Sequence, residues 1–269
     1  IGNLEDITLR ALRILKEVDL IAAEDTRHTR KLLTHYGVNT PLTSYYDHIE
    51  TDKAPALIAQ LQAGKNIALV SDAGTPGIAD PGYRLVKGAA EAGVAVVPIP
   101  GPSTIGALLS VGGLPTDRFA FEGFLPAKPS QRRKTLQQLK HEERTLIFFE
   151  SPHRLLDALA DIEEIFGDRP IAIGRELTKV YEEVVRGTVR EVRAALQERE
   201  VKGEVALLIA GATEKDESED KLSVIEEIRQ LLTQELSLKE IAHIIGERRG
   251  MSKREAYALG VQLKERGKL

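Results

Sequence analysis

Short apolar runs alternate with segments of helical periodicity along the first hundred residues. The strand-like runs cover residues 20–23, 66–70 and 94–99, and the helix-like segments cover residues 9–18, 29–36, 53–62, 83–92 and 103–110. Such alternation is typical of βα units, which place their strands in a mostly parallel sheet. The first part of the chain is therefore predicted to be an α/β domain.

Two of these strand-like runs end in loops that are dense in Gly, Pro, Ser and Thr. Residues 70–82 read VSDAGTPGIADPG, and residues 98–103 read PIPGPS. Glycine lets a ligand approach the main chain, and proline stiffens the loop. Ordinary βα turns collect the same residues. Two such loops at the carboxyl ends of neighbouring parallel strands instead favour a ligand pocket.

A second α/β region follows GGLPTDR at residues 112–118, where the alternation breaks. Its strand-like runs cover 119–124, 145–149, 171–173, 181–187 and 204–209, and its helix-like segments cover 131–140, 154–166 and 189–198. We predict an N-terminal domain over 1–113 and a second α/β domain over 114–213.

The last part of the chain is predicted to be a small helical unit. Residues 214–221, EKDESEDK, contain no apolar residue and are predicted to be a solvated linker. Three helices are expected within 222–269, at 222–236, 238–246 and 252–266. Ser237 and Ser252 each precede a Glu by three residues, which is the capping-box spacing. This unit resembles a helix-turn-helix.

Several functional classes are disfavoured by what the sequence lacks. It contains no Cys, no GxGxxG after a strand, no GxxxxGK[ST] and no HExxH, and its six His show no metal-ligand spacing. No apolar run approaches the length of a membrane span. The formal charge of −4 excludes a globally basic coat but permits basic patches. We therefore expect no metal, no membrane partner and no phosphate-cradling P-loop.

Specific strings of residues resemble the tetrapyrrole-methylase superfamily, and within it the branch that methylates ribosomal RNA. These are EDTRHT at 24–29, SDAGTPGIADPG at 71–82, FESPHR at 149–154 and RELTKVYEE at 175–183. The resemblance extends over essentially the whole chain. One departure is that the family opens with an apolar strand and Thr-Pro ahead of Ile-Gly-Asn, whereas this chain begins at Ile1. Part of the first strand and of one cofactor loop is thus expected to be missing.

The resemblance implies a fold, a methyl donor and an acceptor. The fold has two α/β domains with the cofactor cleft between them, followed by the helical unit. The donor is S-adenosylmethionine, and the acceptor is the ribose 2′-hydroxyl of a decoding-centre cytidine in 16S rRNA of the 30S subunit. A cytoplasmic homodimer is also implied. The residues that match the family's cofactor loops are Gly2, Asn3, Gly74, Thr75, Pro76, Ile78, Ala79, Pro102, Ser103, Thr104 and Ala210.

A ribose hydroxyl is a poor nucleophile at neutral pH, so a proton acceptor is plausible. The candidates Glu24, Asp25 and Glu150 each follow an apolar strand directly. For Glu24 and Asp25, helix capping and a local ion pair with Arg27 are an equal alternative. The family match also marks cations that could hold phosphates or developing charge, namely Arg27, His153, Arg154 and Arg175. A structural salt bridge is the alternative for Arg175.

Two stretches carry the positive charge that RNA binding requires. Residues 128–154 and 239–269 each have a net excess of four positive charges. The candidate phosphate contacts are Lys128, Arg132, Arg133, Lys134, Arg248, Arg249, Lys253 and Arg254. A solvated charged face is the alternative for any one of them. Aromatic residues make up only 4% of the chain, so stacking is not expected to be the main binding mode.

Two other functions remain open on the sequence. The same fold could methylate a corrin, another tetrapyrrole or a protein side chain, but the basic stretches and the helical unit argue against a small acceptor. A non-catalytic nucleic-acid-binding protein is disfavoured because it would not need the paired Gly/Pro loops.

Overall fold

A computed structural model describes residues 1–234, 236–249 and 251–266 of the chain. The chain divides into two compact units. The first unit comprises Ile1–Gly113, Ile173–Val184 and Gly203–Ala206, and the second comprises Leu114–Ala172, Val185–Lys202 and the chain from Leu207 onwards. Among the described residues, no helix is both long and apolar enough to cross a membrane.

The βα alternation predicted for the first unit is confirmed. Its elements are α1 (Leu9–Glu17), β1 (Leu20–Ala23), α2 (Thr26–His35), β2 (Leu42–Ser44), α3 (Asp47–Gln62), β3 (Ile67–Val70), α4 (Tyr83–Glu91) and α5 (Thr104–Gly112). The three strands form a parallel sheet in the order β2-β1-β3. Ile21, Ala22 and Ala23 of the central strand are fully buried, as expected where helices cover both faces of a parallel sheet.

The strand predicted over residues 94–99 is not formed. This segment has no ladder in the described chain, and the Val96 and Val97 side chains are exposed. It is held from the side instead, because Arg10 Nη2 donates to Pro98 O at 2.8 Å. A strand needs a neighbouring strand that accepts and donates backbone hydrogen bonds along its edge. High β-propensity of the residues does not by itself supply such a neighbour.

Two boundaries in the first unit differ from the prediction because of local hydrogen bonding. Helix α2 begins at Thr26, three residues early, since the Asp25 carboxylate accepts from the Arg27 N–H at 2.7 Å and caps it. Helix α3 begins at Asp47 and not at residue 53, with Asp47 and Glu50 in its first turn. Acidic residues there are stabilised by the helix dipole.

The remaining strands form a second, five-stranded sheet in the order β4-β5-β8-β6-β7. Its strands are β4 (Phe119–Phe124), β5 (Thr145–Glu150), β6 (Pro170–Arg175), β7 (Glu183–Thr188) and β8 (Val205–Ile209), and the helices between them are α6 (Pro129–Leu139), α7 (Leu155–Phe166) and α8 (Val189–Gln197). Every residue of β8, the central strand, is buried. The prediction of a second region of mixed helices and strands is confirmed.

Three helices complete the described chain, namely α9 (Glu214–Leu232), α10 (Leu238–Arg249) and α11 (Lys253–Arg266). Their shared core includes Ile228, Ile241, Ile245 and Ala256. The two predicted capping boxes are present. In the first of them, Glu240 N–H donates to Ser237 Oγ at 3.3 Å, and the Glu240 carboxylate accepts from Ser237 N–H at 2.9 Å.

The linker predicted at 214–221 stays a prediction as a boundary, but its residues are helical. These residues form the first two turns of α9. Acidic residues near a helix N-terminus interact favourably with the helix dipole, and Glu and Lys are good helix formers, so the absence of apolar residues does not prevent a helix. The division into domains at 113/114 and at 213/222 stays a prediction, although the first segment of the first unit also ends at Gly113.

A buried ion pair joins two helices of the second unit. Arg132 of α6 is only 3% exposed, and its Nη2 lies 2.6 Å from Asp161 Oδ2 of α7. Arg133 reaches the other oxygen of Asp161 at 2.7 Å and also contacts the exposed Glu164. Arg132 is thus not a surface phosphate contact. Its role is structural, because an unpaired guanidinium would be very costly at this depth.

We predict that Asp161→Ala lowers the free energy of unfolding by about 3–5 kcal/mol, because it leaves the Arg132 charge buried without its partner. Glu164→Ala, on the same helix, removes only the exposed contact with Arg133 and should cost less than about 1 kcal/mol. Urea unfolding of both variants checks this. Equal losses in the two variants would contradict the assigned role of Arg132.

Candidate functional site

Three loops of the first unit meet at one place. A Cβ built on Gly74 would lie 3.8 Å from Ile1 Cγ2 and 4.0 Å from Pro102 O. The stretch that begins at Ile1, the 71–82 loop and the 98–103 loop are therefore neighbours. The sequence predicted the convergence of the two Gly/Pro loops, and the structure shows it.

The 71–82 loop has an unusual backbone conformation. Gly74 and Gly77 have φ values of 76° and 80°, and Ala79 has φ of 60°, which is uncommon for a residue with a Cβ. Thr75, Ile78 and Ala79 are exposed at the surface of the loop. Such strain persists only where the surrounding structure fixes the chain, and it is concentrated at ligand sites.

A buried carboxylate fixes the far end of this loop. Glu50 of α3 accepts from Gly82 N–H at 3.1 Å and from Arg84 N–H at 3.0 Å, which satisfies the first free donors of α4. Tyr45 Oη donates to the same oxygen at 3.1 Å. No local pattern predicts this role, because Glu50 lies 32 residues from the glycine that it binds.

The second loop ends in a capped helix. Ser103 Oγ accepts from Gly106 N–H at 3.4 Å at the start of α5, and Thr104 is the first helical residue. A helix N-terminus presents backbone donors to any polar group in front of it. Pro102, whose carbonyl faces Gly74, keeps the approach to this helix rigid.

The RELTKVYEE segment joins this site, although the sequence assigned no role to most of it. Thr178 Oγ1 donates to Ile1 O at 3.5 Å. A Cβ on Gly2 would overlap the Lys179 side chain, so Lys179 packs directly over Gly2. Lys179 Nζ is paired with Glu176 at 3.0 Å and with Glu204 at 3.1 Å. No local pattern could indicate contacts between residues that are 177 apart in sequence.

Two predicted cofactor residues have other surroundings. Asn3 caps a short 3-10 helix (Leu4–Asp6), and its Oδ1 accepts from Glu5 N–H at 3.0 Å. Ala210 lies in the second unit, after β8, and its N–H donates to Pro170 O at 2.9 Å. Their contact with a cofactor stays a prediction.

The carboxyl ends of β1 and β3 are joined by reciprocal hydrogen bonds. Asp72 N–H donates to Glu24 Oε2, and Asp25 N–H donates to Asp72 Oδ1, each at 3.1 Å. Asp25 also forms an ion pair with Arg27 at 2.8 Å, and this guanidinium holds the pKa of Asp25 well below its usual range. This geometry matches the structural alternative to a catalytic role, in which Asp25 caps a helix and pairs with Arg27.

Asp80 is the titratable group of the 71–82 loop with the clearest perturbation. Burial, and secondarily the nearby carboxylate of Glu24, raises the pKa of Asp80 to about 6, against a hydrogen bond from Ser71 that lowers it. A perturbed carboxyl group beside a strained loop is typical of functional sites. Asp80 was not among the residues predicted from the sequence, because only the fold shows that it is partly buried.

The third candidate acid, Glu150, lies in the second unit at the end of β5. Its side chain is fully buried, and Oε1 pairs with Arg154 Nη2 at 2.6 Å. Within the described chain, Oε2 has no hydrogen-bond partner. Glu150 therefore organises the FESPHR segment through Arg154, while His153 of the same segment is exposed.

The predicted RNA contacts fall into two groups. Several are engaged in ion pairs, because Arg133 binds Asp161 and Glu164, Arg175 binds Glu183 at 3.1 Å, and Arg248 and Arg249 both bind Glu227. The second group is exposed and comprises Lys128, Lys134, His153, Lys253, Arg254 and also Arg27, which is paired with Asp25; Arg133 and Arg248 are exposed despite their ion pairs. Exposed cations are the ones that can reach phosphates directly.

Comparison with known proteins places these observations in a family. Residues 1–193 match the model of the tetrapyrrole (corrin/porphyrin) methylases. The chain is 50% identical to ribosomal RNA small subunit methyltransferase I of Escherichia coli O157:H7, over 97% of this chain and 92% of that protein. It is 48% identical to the Synechocystis protein of the same name, over 99% and 96% of the two chains.

Solved structures of more distant proteins share the fold. Diphthine synthase superposes with a TM-score of 0.60 at 16% identity, covering 81% of this chain and 90% of that one. The uroporphyrin-III-C-methyltransferase of Thermus thermophilus gives 0.56 at 22% identity, covering 78% and 90%. The tetrapyrrole-methylase fold expected from the resemblance is thus confirmed.

We predict that the free energy of unfolding of Asp80→Asn, relative to that of the wild type, is higher at neutral pH than at low pH. Near pH 4 the folded wild type keeps Asp80 protonated, so burial costs little. As the pH rises towards 6, the unfolded chain loses this proton first and folding becomes less favourable; above about 6 the cost is constant. The difference between variant and wild type should therefore grow by on the order of 1–2 kcal/mol, after allowance for solvent screening.

Urea unfolding of both proteins between pH 4 and pH 7.5 measures this difference. A difference that stays constant over the whole range would refute the assigned burial of the Asp80 charge.

Proposed function

The chain belongs to the tetrapyrrole methylase family, and from that membership we propose that it transfers a methyl group from S-adenosylmethionine to 16S rRNA of the small ribosomal subunit. The observation that carries the proposal is the meeting of three loops, around Ile1, Gly74 and Pro102, in a chain that is 48–50% identical to rRNA methyltransferases. The finer proposal is that the acceptor is the 2′-hydroxyl of cytidine 1402 in the decoding centre.

The residues of the three loops fit such a donor. Bound S-adenosylmethionine supplies a methyl group on a positively charged sulfur, together with a purine, a ribose and an amino-acid group. The loops offer backbone donors and acceptors at Gly74, Ala79 and the start of α5, where no large side chain blocks the main chain. The carboxylates of Asp72 and Asp80 give the 71–82 loop a negative potential that suits a cation. The proposed contacts are Gly2, Asn3, Gly74, Thr75, Pro76, Ile78, Ala79, Pro102, Ser103, Thr104 and Ala210.

The protein's main contribution is placement, because the donor carries the reactive group. Fixing both reactants in line removes several kcal/mol of barrier, and rigid loops do this better than mobile ones. Glu50, which holds the end of the 71–82 loop, is a positioning residue in this scheme.

The three candidate proton acceptors differ in their geometry. Asp25 has a lowered pKa, which weakens it as a base. Glu150 is fully buried and is engaged with Arg154. Glu24 is partly exposed at the carboxyl end of β1 and lies beside the loop that we assign to the donor. We therefore favour Glu24 as the acceptor, with Asp25 and Glu150 as positioning groups.

RNA would be held by the exposed cations. Lys128 directly precedes α6, Lys134 lies within α6, and Lys253 and Arg254 begin α11. Phosphate contacts of this kind fix orientation, and the shape of the folded RNA then provides selectivity. The acceptor, the homodimer and the cytoplasmic location are all parts of this proposal. A corrin or other small acceptor is disfavoured, since it would not require these cations.

Glycine at position 74 should matter for donor affinity. Gly74→Ala places a Cβ on a residue with φ of 76°, which strains the loop, and should weaken S-adenosylmethionine binding about tenfold. Gly37→Ala is the matched control, since Gly37 has φ of 61° with open space around it but lies outside the three loops. Titration calorimetry compares them. An equal loss of affinity in both variants would assign the effect to general strain and not to the site.

The activity itself is tested with labelled methyl groups. We expect the protein to transfer label from S-adenosylmethionine to 30S subunits that lack the modification, and mapping should locate it on a 2′-oxygen of the decoding centre. Label on a base, or on another nucleotide, would replace the finer proposal. Binding of the donor without any transfer to RNA would redirect the search to small acceptors.

A further inference from the structure

The turn that follows β6 exposes two apolar side chains at its tip. Glu182 N–H donates to Lys179 O at 3.1 Å, so Val180 and Tyr181 are the central residues of this turn. Their exposures are 92% and 72%. Turn tips ordinarily carry Gly, Pro, Asn, Asp or Ser, and a β-branched residue beside an aromatic one serves neither turn geometry nor burial. The two residues therefore call for another explanation.

The turn is held rigidly. A preceding turn is closed by the bond from Lys179 N–H to Glu176 O at 2.9 Å, and Glu176 and Thr178 have φ values of 49° and 67°. Arg175 and Glu183, at the two ends of the segment, are 3.1 Å apart in an ion pair. Positive φ at two residues with side chains is maintained only because these contacts determine the backbone. The tip is thus presented in one orientation.

The same segment contacts the loops assigned to the methyl donor. Thr178 binds Ile1 O, and Lys179 covers Gly2. Three residues span at most about 11 Å of extended chain, so Tyr181 lies close to Thr178 and hence to the donor loops. An exposed aromatic ring at this distance is suitably placed to touch the acceptor molecule.

We propose that the Val180–Tyr181 tip is a platform on which one unpaired base of the RNA acceptor stacks next to the methylated nucleotide. This inference rests on the proposed function. RNA is recognised at sequence-specific sites chiefly by stacking of splayed bases on aromatic rings. Arg175 and Lys179 of this segment are already paired with Glu183 and Glu176 and are not offered to a phosphate. The tyrosine ring and the valine are therefore the binding surface of the tip. Stacking fits that surface better than a backbone contact does.

Tyr181→Ala and Tyr181→Phe test the platform. The alanine variant should raise KM for unmodified 30S subunits about tenfold or more, which corresponds to the loss of one stacked base. The phenylalanine variant keeps the ring and should remain within about twofold of wild type. In both variants the affinity for S-adenosylmethionine, measured by calorimetry, should be unchanged, since the side-chain contacts of Thr178 with Ile1 and of Lys179 with Gly2 remain.

Each outcome bears on one proposal or on both. An unchanged KM in Tyr181→Ala, with wild type active, overturns the platform and leaves the proposed function intact. A wild type that transfers no methyl group to 30S subunits overturns the proposed function and the platform with it. A shift in molar mass of Tyr181→Ala by light scattering would show that a second copy of the chain occupies the tip, and this also overturns the platform.

Discussion

The site of the first unit depends on the reciprocal hydrogen bonds between the ends of β1 and β3. Glu24 and Asp72 each use a side-chain oxygen to accept a backbone N–H from the other strand's continuation. These bonds fix where the 71–82 loop leaves the sheet, and Glu50 fixes where it enters α4. A loop secured at both ends can hold Ala79 at positive φ without relaxing. The geometry offered to a ligand is therefore set before any ligand arrives.

This arrangement explains why carboxylates surround the proposed donor loops without all serving as bases. Asp25 caps α2 and pairs with Arg27, and Glu50 accepts N–H groups at the start of α4. Asp72 accepts the N–H that follows β1. Buried or strand-end carboxylates are stabilised when their oxygens accept N–H groups. Asp80 is different because burial dominates its environment and raises its pKa. The site thus combines fixed negative charge with one group that titrates near neutrality.

Features that depend on a few neighbouring residues could be predicted from the sequence. The capping boxes at Ser237 and Ser252 and the helices between the strands follow from local spacing. The segment 94–99 failed because a strand also needs a partner at its edge, which no local pattern reports. Arg132 was misjudged for a similar reason, since its partner Asp161 is 29 residues away. Convergence of the two Gly/Pro loops was predicted from two neighbouring strands, of which only β3 is formed, and no local pattern predicted the packing of Lys179 on Gly2.

The distribution of charge gives a physical reason for separating the two halves of the proposed reaction. A sulfonium donor is favoured by the negative potential of the 71–82 loop, and an RNA acceptor is repelled by it. Four of the exposed cations, Lys128 and Lys134 at α6 and Lys253 and Arg254 at the start of α11, lie outside that loop, so phosphates bound by them leave its carboxylates unneutralised. Close to the donor loops an uncharged contact has an advantage, because it neither repels a phosphate nor competes with a sulfonium. The Val180–Tyr181 tip, which is apolar and rigidly mounted on the segment that covers Gly2, meets that condition.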